Sequence, residues 1–206
     1  MSAAAGRLGV LISGRGSNLQ ALLDAGERGL FPGRVVVVIS NVANAGGLER
    51  ARRAGVPALV QDHRGRSREE HDMSMVEHLR AHDVDLVCLA GYMRLLSPVV
   101  LRAYPGRVLN IHPSLLPSFP GLDAQRQAWE HGVRISGATV HLVDEGLDTG
   151  PIVAQEAVPV MDEDTPQALA ARILEAEHRL YPEAIRLVLS GRLERAGRRL
   201  FGKESP

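Results

Sequence analysis

Residues 108 to 121 read Val-Leu-Asn-Ile-His-Pro-Ser-Leu-Leu-Pro-Ser-Phe-Pro-Gly and hold the most chemically suggestive pair in the chain. Asn110 and His112 stand two apart in an aliphatic run, so on a strand both side chains leave the same face. An amide donor beside an imidazole suits acyl transfer: two donors can hold the oxyanion of a tetrahedral intermediate, and the imidazole can also carry protons. A histidine at a strand end also serves as an ordinary structural residue, and the pair alone leaves both readings open. Pro113, Pro117 and Pro120 stiffen the chain that leaves it. A second segment, His141-Leu-Val-Asp-Glu-Gly-Leu-Asp-Thr-Gly-Pro, crowds acids and glycines behind another apolar run. Either Asp144 or Asp148 could return toward the edge that carries His112, where a carboxylate would favour the charged ring and raise its pKa. A solvated acidic turn is the equally open alternative.

The third constellation is Gly9-Val-Leu-Ile-Ser-Gly-Arg-Gly-Ser-Asn-Leu-Gln, which passes from an aliphatic strand through glycines into a helix. Such a junction makes an anion site, because the unpaired amides of a helix start point outward and the helix dipole favours negative charge. Gly14 and Gly16 permit close backbone approach, and Ser17 and Asn18 can cap the helix or donate to a phosphate. Leu19 stands where a dinucleotide fingerprint requires its third glycine, and no Gly-Lys-Ser/Thr follows as in a Walker loop. A compact phosphate monoester fits better than a dinucleotide, and a tight turn that binds nothing remains the plain alternative.

Elements of a regular kind must hold these groups. Aliphatic runs at 8–12, 35–39, 84–90 and 108–111 lack polar alternation, the mark of strands buried on both faces. Segments of helical period fall between and after them, at 19–28, 47–54, 67–82 and 97–104. The alternation predicts an α/β fold: a mostly parallel, doubly wound (Rossmann-like) sheet with helices on both faces. Two longer strands, 136–143 and 152–160, have no helix between them and predict an antiparallel C-terminal strand excursion. Thr165-Pro166 opens a last long helix as cap and first residue, with Pro182 expected to kink it. The tail from Gly197 is expected to fray.

At 206 residues the chain suits one domain, with an ordered core from about 7 to 195. Lys plus Arg and Asp plus Glu each number 24, so no net field gathers a polyanion, and neither a nucleic acid nor a membrane partner is expected. The absence of a long apolar run or a secretion signal, and the lone Cys88, which reads as a core residue, point to a cytoplasmic protein. His63, His71, His78 and His82 crowd one region without further ligand spacing, so they read as solvated helix residues and no metal is expected. Gly (21) and Pro (12) are numerous while aromatic residues make up 3%, which puts the chemistry on specified loops. Nothing here specifies an interface, and a homodimer is left open.

Five motifs in order carry a resemblance: Ser-Gly-Arg-Gly-Ser-Asn-Leu-Gln (13–20), Leu-Ala-Gly-Tyr-Met-Arg-Leu-Leu-Ser-Pro (89–98), Asn-Ile-His-Pro-Ser-Leu-Leu-Pro (110–117), Leu-Asp-Thr-Gly-Pro-Ile (147–152) and Glu-His-Arg-Leu-Tyr-Pro (177–182). Over about residues 7 to 195 the chain resembles the phosphoribosylglycinamide formyltransferase family, folate-dependent enzymes of purine biosynthesis. The resemblance implies transfer of a formyl group from the cosubstrate 10-formyltetrahydrofolate to the primary amine of glycinamide ribonucleotide, without a metal. It implies that Asn110, His112 and Asp148 are the catalytic trio, with Asn110 and protonated His112 steadying the oxyanion and Asp148 keeping His112 charged. It also implies that Arg15, Gly16, Ser17 and Asn18 surround the ribonucleotide phosphate and that Glu177 holds its glycinamide end. Arg68, Met93, Arg94, Leu95, Leu96 and Asn110 match folate contacts. Arg15 stands where some relatives carry asparagine, and Asp123 and Gln125 where several carry histidine.

Formyltetrahydrofolate hydrolase and methionyl-tRNA formyltransferase share the trio but add an N-terminal and a C-terminal domain respectively. A first strand near residue 8 and the length of 206 are expected to leave room for neither. A non-catalytic nucleotide-binding module would use the glycine loop and leave the Asn110, His112 and Asp148 spacing unexplained.

Overall fold

A computed structural model describes residues 5 to 202. The chain divides between Asn110 and Ile111 into two compact units. In the first, β1 (Gly6–Ile12), β2 (Gly33–Ser40), β3 (Ala58–Val60), β4 (Leu86–Leu89) and β5 (Val108–His112), which crosses the division, follow the order β3-β2-β1-β4-β5. Every pairing among them is parallel. The aliphatic runs of β1, β2, β4 and β5 are largely buried on both faces, with Leu8, Val10, Leu11 and Ile12 of β1 fully out of contact with water, as the lack of polar alternation requires, whereas the short edge strand β3 leaves Val60 exposed. Cys88 is buried in β4. The helices are α1 (Ser17–Glu27), α2 (Gly46–Arg53), α3 (Arg68–Ala81) and α4 (Pro98–Ala103). A reciprocal cap starts α3: Ser67 Oγ accepts from the Glu70 amide and the Glu70 carboxylate accepts from the Ser67 amide.

The second unit holds α5 (Ala124–Glu130), the antiparallel pair β6 (Ile135–Leu142) and β7 (Ile152–Pro159), the long α6 (Pro166–Leu189), and a hairpin of β8 (Leu193–Ala196) and β9 (Arg199–Gly202). The α/β class, the parallel strands and the antiparallel excursion are as expected. One local expectation is not, and α5 was not foreseen. Residues 199–202 pair with β8 rather than fray, because Gly197 and Arg198 form a two-residue loop, with Gly197 at φ 62°; positions 203–206 lie outside the described residues. Helix α5 is anchored by buried Ala124 and Ala128 and by Trp129 Nε1, which donates to the Asp164 carbonyl at 2.5 Å. As the sequence suggests, α6 opens at Thr165-Pro166, with the Thr165 hydroxyl accepting from the Ala168 amide, and it runs to Leu189 with Pro182 inside it. Among the described residues no helix is long and apolar enough to cross a membrane.

Asp164 locks the entry to α6. Its carboxylate receives both terminal nitrogens of Arg172 at 2.7 Å and the Met161 amide at 2.8 Å. Arg172 first, then that amide, hold its pKa down at about 2. A folded pKa below the unfolded value of about 3.9 adds stability that is complete above that value and is lost as pH falls toward about 2. An Asp164→Asn variant is therefore expected to be less stable than the parent at neutral pH, with the difference shrinking across that window. Acid titration followed by circular dichroism measures it, and coincident curves would show that the link contributes nothing.

Candidate active site

Strand order in the first unit reverses at β1, with β2 and β3 on one side and β4 and β5 on the other. Loops leaving the carboxyl ends of β1 and β4 diverge there, which in parallel sheets opens the crevice where ligands settle. Ser13 joins the two loops. Its amide donates to the Gly91 carbonyl at 3.1 Å, and its hydroxyl accepts from the Met93 amide at 2.8 Å and donates to Asn41 Oδ1 at 2.6 Å.

Gly16 caps α1 with φ 73° and ψ 34°, and a Cβ there would stand 2.6 Å from Gly47 Cα. The Gly47 amide donates to the Gly14 carbonyl at 3.1 Å, so glycine is needed on both sides of this close approach. Ser17 and Asn18 are consequently the first two helical residues, not caps, and no side chain caps α1. The helix dipole of α1 favours negative charge at this start. Arg15 is exposed, and its carbonyl accepts from Arg50 Nε at 2.9 Å. On the loop after β4, Met93 and Leu95 are 64% and 56% exposed, with Arg94 and Leu96 half-buried. Arg68 is exposed at the start of α3, and Asn110 pairs with Leu89 at the carboxyl end of the sheet.

In the second unit, buried His112 presents Nε2 to the Phe119 carbonyl at 2.8 Å and Nδ1 to Asp148 Oδ2 at 3.4 Å. Phe119 adopts φ 54°, a region a bulky side chain seldom enters, and its carbonyl is thereby spent on the imidazole. Asp148 accepts the Gly121 amide at 2.8 Å, while its other oxygen lies 3.6 Å from Nε2 of buried His141. The choice between two acids is thus resolved by geometry. Asp144 instead turns into its own loop, accepting from the Gly146 amide and the Thr149 hydroxyl. Sequence reasoning gave His141 no role. It stands at an irregularity in the β6 and β7 register, between Val140 and His141, and bulges of this kind re-aim a side chain. Glu177 is buried on α6 beside Ala176, Leu180 and Tyr181.

The electrostatics reverse one expectation. Burial pushes the His112 pKa below its ordinary 6.5, outweighing the Phe119 carbonyl and the Asp148 charge, while His141 lowers it further. Burial alone would raise Asp148, but the His141 contact, the Gly121 amide and the charge of His112 together leave it below 3.8. At neutral pH the structure therefore favours a charged carboxylate beside an uncharged ring. An NMR titration of the free protein is expected to place His112 below 6.5, and lower again in Asp148→Asn, which removes a group that favours the charged ring. A midpoint above 6.5 would overturn this.

A model of the family described as formyl transferase matches residues 6–185. The chain belongs to that family. This formyl transferase is 46% identical over 190 residues to the phosphoribosylglycinamide formyltransferase of Escherichia coli, covering 90% of this chain and 88% of the relative. The crystal structure of glycinamide ribonucleotide transformylase 1 from Symbiobacterium toebii matches it with a TM-score of 0.96 at 58% identity, over 98% of this chain and 96% of that one. It is also 50% identical over 204 residues to the trifunctional purine biosynthetic protein adenosine-3 of Drosophila pseudoobscura pseudoobscura, of whose length it spans 15%.

Proposed function

We propose that this formyl transferase moves a formyl group from 10-formyltetrahydrofolate to the primary amine of glycinamide ribonucleotide, yielding formylglycinamide ribonucleotide and tetrahydrofolate. The observation that carries the reading is its likeness, across nearly the whole of both chains, to the Symbiobacterium transformylase. The start of α1, with Gly16, Ser17, Asn18 and the backbone of Arg15, takes the ribonucleotide phosphate. Glu177 holds the glycinamide end, and Arg68, Met93, Arg94, Leu95 and Leu96 contact the folate.

The amine nitrogen attacks the formyl carbon, and the formyl oxygen takes up the negative charge. Asn110 and His112 donate to that oxygen, the imidazole giving up its bond to the Phe119 carbonyl to do so. When the intermediate collapses, the carbonyl re-forms, the bond to folate N10 breaks, N10 gains a proton and the former amine loses one. A ring held uncharged at rest by burial gains proton affinity as negative charge grows beside it. Its stabilisation therefore increases toward the transition state, which is the condition for raising kcat. Asp148 supports the charged ring at that moment and helps relay the amine proton.

The test mixes purified protein with 10-formyltetrahydrofolate, with and without glycinamide ribonucleotide, and follows tetrahydrofolate release. Turnover is expected only with the ribonucleotide. Equal release in both tubes would replace the transferase reading with hydrolysis.

A further inference from the structure

His71 and Asp72, neighbours on α3, are 0% and 1% exposed, against the expectation that the histidines of this region are solvated. The polar residues around them on α3 conceal in the sequence a pair that packs inward. His71 Nδ1 lies 3.0 Å from Asp72 Oδ1, and its Nε2 donates to the Gln61 carbonyl at 2.9 Å, just past β3. The other Asp72 oxygen accepts the Ser97 amide at 2.6 Å, at the N-cap of α4. Ser97 is itself fully buried, and its hydroxyl makes no capping bond. Tyr92, between the strand and this anchor, is buried with its hydroxyl 4.0 Å from Met75 Sδ.

The loop between β4 and α4 is therefore fastened at two points. Ser13 holds the Met93 amide near its start, and Asp72 holds the Ser97 amide at its end. The span between carries the exposed side chains of Met93 and Leu95. A buried carboxylate is costly to keep, and a bond from it to a loop amide is among the stronger ones a loop can have. Such an anchor spends the ordering cost of the loop during folding, so a ligand need not supply it on binding.

We propose that Asp72, steadied by His71, is a positioning residue that holds the Met93 to Leu96 segment ready for the folate cosubstrate. The proposal rests on the reading that this segment contacts folate. Replacing Asp72 by Ala is expected to raise the KM for 10-formyltetrahydrofolate about ten-fold or more, with kcat and the ribonucleotide KM little changed. Asp72→Asn keeps an acceptor oxygen in place and should recover most of the loss. Hydrogen exchange of a peptide spanning 91–97 should quicken in the alanine variant. Should that variant fail to fold, Ser97→Pro removes the same amide donor at a φ of -78° that proline accepts, and it decides the matter by the same measurements.

Met93→Ala and Leu95→Ala separate the two ideas. If neither moves the folate KM, the folate reading of the segment fails, whatever Asp72 does. If they move it while the Asp72 and Ser97 variants leave it unchanged, or shift all kinetic parameters together, the positioning role is overturned alone.

Discussion

Replacing Asp148 by Asn is expected to lower kcat by about 100- to 10,000-fold while leaving the fold intact, the range lost with a proton-handling group. Asparagine has nearly the same shape, and its carbonyl oxygen can still accept the Gly121 amide that Asp148 holds at 2.8 Å. It also tolerates the left-handed backbone, φ 54°, found at position 148. What it lacks is charge. The carboxylate lies 3.4 Å from His112 Nδ1 and is the nearby anion that offsets burial in the pKa of that ring. Without it, a proton arriving on His112 as the oxyanion forms has no countercharge at Nδ1. Steady-state kinetics paired with a thermal melt measures the outcome. A near-normal kcat at unchanged stability would remove Asp148 from the mechanism.

Gly150→Ala should cost both stability and activity, through the backbone. A Cβ at Gly150 would fall inside the van der Waals envelope of the Leu142 carbonyl oxygen and 3.4 Å from the Asp144 amide nitrogen. Both are main-chain atoms, so no rotamer change relieves the overlap, and the 142 to 150 turn has to open. The expected loss is about 3 kcal/mol, the upper part of the range for overpacking. Because Asp148 sits two residues away in the same turn, its approach to His112 should loosen with it and kcat should fall. Gly14→Ala is the comparison, since a Cβ there meets nothing within 4 Å, and its stability should stay within about 0.5 kcal/mol of the parent. Chemical denaturation of both variants measures this; equal midpoints would mean that the turn yields freely.

Part of the candidate site was legible because it depends on local spacing. Asn110 and His112 share a strand face whatever surrounds them, and the passage from β1 through Gly16 into α1 sets a helix start behind a glycine turn within consecutive residues. The capping alternative for Ser17 and Asn18 falls because the close approach of Gly47, thirty-odd residues away, reserves the capping position for a left-handed glycine. α5 escaped notice because its seven residues hold by contacts distant in sequence, above all that of Trp129 with Asp164. The hairpin of β8 and β9 is mostly exposed and shows no buried alternation to read.

By itself, the sequence determined the α/β class, the main alternation of parallel strands and helices, the shared strand face of Asn110 and His112, the glycine turn into α1 and a chain with no net charge. Those properties follow from periodicity, turn chemistry and charge, which act between near neighbours. Only the tertiary structure decided that Asp148 rather than Asp144 meets His112, that His141 joins them through a strand irregularity, and that His71 and Asp72 turn inward. It also decided the sign of the His112 shift. A carboxylate alone raises a histidine, and whether burial overrules it depends on how many residues from elsewhere in the chain exclude water from the ring.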